Sequence, residues 1–238
     1  MISIIIPTLW NYKPFCNFLQ YVAELSVVGE IIIIDNNNKE APAHDVLGHK
    51  KVRHCIMEKN MFVNPSWNIG VELSSHDILC FLSDDVAVDL RVFFEADRFV
   101  SKDIGILSFG TNLDLINLHK KEYGKIEKIS NLVISGDITI EEGSLGIGSC
   151  FFIHKENWIR IPDEFKLYCG DEWQFDMQIQ LGRKNYCGRN CFYYSPWHVS
   201  SESQDLLEYK KSEQFKKYEN SEYLKFSKKQ KLKEIREI

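Results

Sequence analysis

Short apolar runs recur along the first hundred residues, and three of them break off at a polar or acidic residue. Residues 2–6 stop at Pro7 and Thr8, residues 31–34 at Asp35, and residues 78–82 at Ser83, Asp84 and Asp85. A continuous apolar run of strand length is the pattern of a strand covered on both faces, as in a parallel sheet. Residues 9–26 carry apolar positions at near-helical spacing and predict a helix after the first strand, with Gly29 closing the segment. Residues 44–51 are polar and indistinct, and residues 52–57 read as a short strand. Asn64 followed by Pro65 reads as a helix cap and a first-turn proline. Further on, the pattern predicts a helix over 89–100, a strand over 104–112, a strand over 149–154, a helix over 172–181 and a strand over 191–194. Between 113 and 145 the periodicity is weak, which predicts an antiparallel insertion or a mobile loop. Beyond Ser203 the chain turns Lys/Glu-rich and tyrosine-studded, the signature of a helical tail with a solvated face.

Alternating strands and helices predict an α/β fold with a mostly parallel central sheet flanked by helices. With 238 residues, 44% of them hydrophobic, the chain is long enough to bury one sizeable core. The net charge of -5 and pI of about 5.8 provide no basic field for nucleic acid. Seven cysteines form an odd, scattered set without a CxxC pair, so free buried thiols are expected and a structural zinc site is not. The amino-terminal MISIIIPT is too short and too quickly ended by proline for a signal peptide or a membrane span. It reads as a first strand, and a cytoplasmic location is expected.

The chemistry concentrates where the strands end. Asp84 and Asp85 repel each other at the mouth of a core strand, an arrangement that a divalent cation carrying phosphate oxygens would relieve. Ser-Asp-Asp is also ordinary turn chemistry. In open parallel sheets, ligands bind beyond the carboxyl ends of the strands, where these residues fall.

Several short motifs occur in one order: ISIIIPT, EIIIIDN, NPSWNIG, FLSDDV, GSLGIGSCFFI, YCGDEWQFD and HVSSES. Together they resemble the nucleotide-sugar-dependent glycosyltransferases of the GT-A fold, particularly the inverting family 2 enzymes. The resemblance spans residues 1–203, with a nucleotide-binding half to about residue 112, an acceptor-side half over 113–203, and residues 204–238 as the charged tail. It implies metal-dependent transfer of a sugar from a nucleotide diphosphate donor, UDP-linked by preference, to a glycan or other hydroxyl acceptor.

The resemblance also implies roles. Pro7 and Thr8 would line the nucleotide pocket, and Asp35 would accept a hydrogen bond from the base, unless it only caps the asparagine turn after it. Asn68 and Gly70 fall on a helix whose start faces nucleotide and sugar, with a packing glycine as the other reading of Gly70. Asp84 would contact ribose or sugar and Asp85 would ligate Mn2+ or Mg2+, although Ser83 stands where the family's motif often has its first acid. His198 would complete the protein's metal ligands, with Ser200 and Ser201 near the diphosphate. The acidic pair Asp171–Glu172 reverses the family's usual order. Glu172 matches the position of the base, Asp171 is the alternative, and either one also suits a helix start. Trp173 would stack on a sugar or belong to the core. Two other classes share parts of this pattern. A sugar nucleotidyltransferase would need a glycine-rich basic loop after the first strand, where TLWNYKPF has no glycine. A non-catalytic sugar-binding module would lack the acidic pair. The interspersed glutamates of the tail argue against membrane contact.

Overall fold

The computed structural model describes residues 1–12, 15–37, 41–109, 136–143, 148–191, 193–194 and 204–236. Strand β1 (Ile2–Thr8) lies between β2 (Val28–Asp35) and β4 (Ile78–Leu82), with β3 (Val52–Ile56) outside β2, and the four are parallel. Helices α1 (Phe15–Glu24) and α2 (Val63–Leu73) make the crossovers that parallel neighbours require. The short β5 (Ala87–Val88) and helix α3 (Arg91–Phe99) lead to β6 (Ile106–Phe109), followed by β7 (Thr139–Glu142), β8 (Cys150–His154), helix α4 (Gly170–Gln180) and β9 (Tyr186–Arg189). A two-residue β10 (Tyr193–Tyr194) pairs with β5 in a separate ribbon. Among the described residues the main sheet has the order β3-β2-β1-β4-β8-β6-β9-β7, in which β8 and β7 run against the others. The architecture is the α/β fold with a mostly parallel sheet that the apolar runs predict.

Alternation along β1 divides the core between two faces. Ile4 and Ile6 belong with Leu19 and Val22 of α1, and Ile5 with Trp67 and Val71 of α2. Gly70 is what lets α2 close on this second face. A Cβ there would lie 2.2 Å from Ile5 Cγ2, so the packing reading of this glycine holds.

Local signals misplace several boundaries. Gly29 does not end a segment; it lies inside β2, where a Cβ would collide with the His76 ring. Helix α2 starts at Val63 rather than after Asn64, its N-cap Phe62 makes no side-chain cap bond, and the Asn64 amide is used in tertiary structure instead. Residues 45–48 form a short 3-10 helix. The strand expected over 191–194 shrinks to β10, while β9 was hidden in the polar stretch RKNYCGRN. It is held by Cys187, which is buried, and by Gly188, where a Cβ would meet the Phe109 ring at 2.3 Å. In the weakly patterned 113–145 segment, β7 is the antiparallel addition; residues 110–135 and 144–147 lie outside the described residues.

The tail folds back as α5 (Gln204–Lys211), α6 (Glu213–Tyr218) and α7 (Ser221–Arg236). Leu224 of α7 is buried in the cluster that holds Phe165 and Trp173, and Lys228 bridges Glu172 and Asp176 of α4 at 3.3 and 3.2 Å. Among the described residues, no helix is long and apolar enough to cross a membrane.

Candidate active site

Strand register assembles the site. β1 pairs with β2 so that Thr8 faces Asp35, and with β4 so that Ile5 faces Phe81. Three residues further along both β1 and β4, Thr8 and Asp84 meet, and the threonine hydroxyl donates to Asp84 Oδ2 at 2.6 Å. The bond is buried, and Thr8 Oγ1 also accepts the Trp10 N–H at 2.8 Å, so the β1 loop is fixed to the acid that ends β4. On the other side of β4, the Ser83 N–H donates to the Ser149 carbonyl at 2.9 Å, which draws the start of β8 against the same corner.

A cleft of about 280 Å³ opens at this edge of the sheet. Pro7, Thr8, Asn36, Ser83, Asp84 and Asp85 form its floor side, and Phe62, Trp67, Leu167 and Tyr168 contribute apolar and aromatic walls. A mainly apolar recess with a few convergent polar groups is the usual form of a small-molecule site. Backbone strain gathers around it. Phe62 (φ 66°) lines the cleft, and Trp10 (φ 58°) and Cys169 (φ 61°) directly follow the lining residues Leu9 and Tyr168. Left-handed non-glycine residues persist only where surrounding structure enforces them.

The expected site residues divide. Pro7, Thr8, Asp84 and Asp85 come together along the cleft. Asp35 stands behind it. Its side chain is fully buried, Oδ1 accepts the Asn37 N–H at 2.8 Å, and Oδ2 lies 2.7 Å from His54 Nε2, so each oxygen has an internal partner. The next residue, Asn36, reaches the cleft instead. Asn68 also turns inward. Its amide donates to the Ile161 carbonyl at 2.8 Å and accepts from the Ile161 N–H at 3.1 Å and from the Trp158 indole at 3.3 Å, so both ends of the amide have internal partners. Trp173 is 2% exposed and packs edge-on against Phe165, a core residue with no face open to a sugar. His198, Ser200 and Ser201 lie outside the described residues.

The acidic pair is split by the turn of its helix. Glu172 is exposed and held by Lys228; burial pushes its carboxyl up, but the Cys169 thiol and the Lys228 ammonium outweigh this and bring it below the usual carboxylate range. Asp171 is part-buried against Gly148, where an added Cβ would lie 2.6 Å from Asp171 Oδ2. Gly148 precedes Ser149, the residue hydrogen-bonded to Ser83, so Asp171 lies beside the segment joined to that corner without itself lining the cleft. Burial, above all, pushes the Asp171 carboxyl above its ordinary value; the Glu172 N–H opposes this and the Glu172 charge adds to it.

Asp85 is the residue expected to ligate a metal. Burial raises its carboxyl above the ordinary range, and among the described residues no cation pairs with it. Among those residues, too, no three His, Cys, Asp or Glu side chains form a cluster able to hold a metal alone. One or two carboxylates facing an open cleft fit a hard divalent cation that takes its remaining ligands from substrate phosphates and water.

Sequence reasoning missed Asn60, Phe62, Leu167 and Tyr168, all from loops. The one local signal was the asparagine run, since Asn36 Oδ1 takes the Met61 N–H and Asn60 Oδ1 the Phe62 N–H, both at 2.8 Å.

No protein-family model and no curated protein matches the sequence. Solved structures match the fold. They include S. aureus TarS 1-349 (TM-score 0.56, 13% identity, 82% of this chain and 60% of that one) and the same protein in complex with UDP-GlcNAc (TM-score 0.56, 13% identity, 87% and 63%). GalNAc-T7 with UDP, GalNAc and Mn2+ matches at a TM-score of 0.58 and 12% identity over 82% of this chain and 44% of that one. The chain thus spans less than two thirds of the length of these structures. At such identities the likeness is one of architecture, and the chain has the GT-A fold.

Proposed function

We propose that the protein is a glycosyltransferase that binds a nucleotide diphosphate sugar, UDP-linked by preference, and transfers the sugar with inversion to a hydroxyl acceptor. The observation that carries this reading is the Thr8–Asp84–Asp85 corner at the carboxyl ends of parallel strands, in a fold shared with proteins crystallised with UDP and UDP-GlcNAc.

In this reading the donor lies in the cleft, with Asp84 oriented by the Thr8 hydroxyl toward the ribose or sugar. Asp85 would hold Mn2+ or Mg2+, with His198 and the nearby Ser200 and Ser201 completing the diphosphate end, as the resemblance implies. Such a cation supplies Lewis-acid stabilisation of the charge that gathers on the departing nucleoside diphosphate. Asp171 takes the proton from the acceptor hydroxyl as that oxygen attacks the anomeric carbon. Its raised carboxyl makes it a stronger base than an exposed aspartate, and it borders the Ser149–Ser83 corner, whereas Glu172 is committed to Lys228.

The test is a panel of nucleotide sugars incubated with the protein and Mn2+, reading release of free nucleoside diphosphate. The reading predicts that one or more UDP-sugars are turned over faster than their GDP, CDP and ADP counterparts. Equal background release across the panel contradicts it.

A further inference from the structure

The cleft wall at Leu167 and Tyr168 belongs to a loop without secondary structure of its own, and it is held from both sides. Asn64, at the start of α2, takes its carbonyls: the Asn64 N–H donates to the Lys166 oxygen and the Asn64 amide to the Tyr168 oxygen, each at 3.0 Å. Glu219 of the tail takes its N–H groups. One oxygen accepts the N–H of Lys166 and, at 3.0 Å, that of Leu167; the other accepts the Tyr168 N–H at 3.0 Å. The Tyr209 hydroxyl adds a further bond to the first oxygen at 2.7 Å. Glu219 is 5% exposed. A buried carboxylate is tolerated where it is hydrogen-bonded in this way, and such charge-assisted bonds are the strong ones. Its place at the C-cap of α6, where the helix dipole disfavours an anion, shows that local structure is not what the acid serves.

From this geometry we infer that Glu219 is a positioning residue of the cleft, and that the tail is part of the binding site rather than an appendage. Aromatic contacts extend the strap. Tyr209 packs on Phe62 at 4.7 Å between ring centroids, and Phe215 on Tyr168 at 5.8 Å, so two cleft walls have tail residues behind them. The held loop runs directly into Cys169 and then into α4, which carries Asp171. Losing the clamp therefore loosens both a cleft wall and the approach of the proposed base.

This inference rests on the proposed function for its ligand, and the test separates the two. Hydrogen exchange of the full chain is compared for wild type and Glu219→Gln, together with calorimetric affinity for UDP in the presence of Mn2+ and the thermal midpoint. Glutamine keeps the shape but turns an NH2 group toward a backbone donor. Exchange at the Lys166, Leu167 and Tyr168 amides should accelerate about tenfold or more, the scale of losing a hydrogen bond to a charged group, with β1 and β4 unchanged. UDP affinity should fall by a similar factor, with the midpoint lowered by only about 2–4 °C. Tyr209→Phe, a milder variant should the first fold poorly, should show the same local effect at smaller size. Unaltered loop exchange overturns the inference, and so does faster loop exchange at wild-type UDP affinity. If wild type binds no UDP, the glycosyltransferase reading falls, and the clamp stands or falls on the loop exchange.

Discussion

Asp171 and Glu172 are neighbours in sequence with opposite surroundings. The family resemblance points to Glu172 as the base because it compares positions along the chain. Geometry favours Asp171, because successive helical residues are turned about 100° apart and only Asp171 lies against Gly148, while Glu172 meets Lys228. Asp171→Asn should cut turnover by roughly 100-fold or more while UDP affinity stays near normal, and Glu172→Gln should remain within a few-fold of wild type. The sign of the pH effect follows from burial. A base works ionised, so raising the Asp171 carboxyl moves the acidic limb of kcat/KM to higher pH than an exposed aspartate would give. Asp171→Asn should abolish that limb, and pH-rate profiles of the two proteins check it.

At the scale of elements, packing rather than propensity decides position. Gly70 interrupts a helix that alanine would favour by about 1 kcal/mol, yet a Cβ there meets Ile5 at 2.2, 3.0 and 3.1 Å from its Cγ2, Cγ1 and Cβ. Ile5 is β-branched and fully buried, so admitting a Cβ requires the helix or the strand to shift. Gly70→Ala should therefore lower the unfolding free energy by a net of about 1–3 kcal/mol, read from urea denaturation. The sequence made the parallel strands legible because residues 2–6, 31–34 and 78–82 are apolar without a break and end at polar residues. Thr8, Asp84 and Asp85 were legible for the same reason, since a strand end locates them. β9 was not, because its burial rests on Cys187 and on a glycine that makes room for Phe109, which no periodicity reveals. Phe62 and Tyr168 were hidden too. Their loops take shape from Asn36, Asn64 and Glu219, whose bonds to them span 25, 104 and 51 residues of sequence.

For the whole molecule, the sheet edge, the strained loops and the tail converge on one cleft. The parallel strands deliver Thr8, Asp84 and Asp85, α2 and the 166–168 loop raise the aromatic walls, and the tail braces those walls from behind. The floor is acidic, with no cation paired to Asp85 among the described residues, so an anionic ligand would need a divalent metal to bind there. The most direct measurement is a calorimetric titration of UDP into wild type and Asp85→Asn, each with and without Mn2+. Mn2+ should strengthen UDP binding to wild type, and Asp85→Asn should remove roughly 2–4 kcal/mol of that metal-dependent affinity, the scale of losing a charged partner to a cation. Equal UDP affinity with and without Mn2+ in the wild type, or an Asp85→Asn variant that keeps the full Mn2+ effect, would contradict this reading.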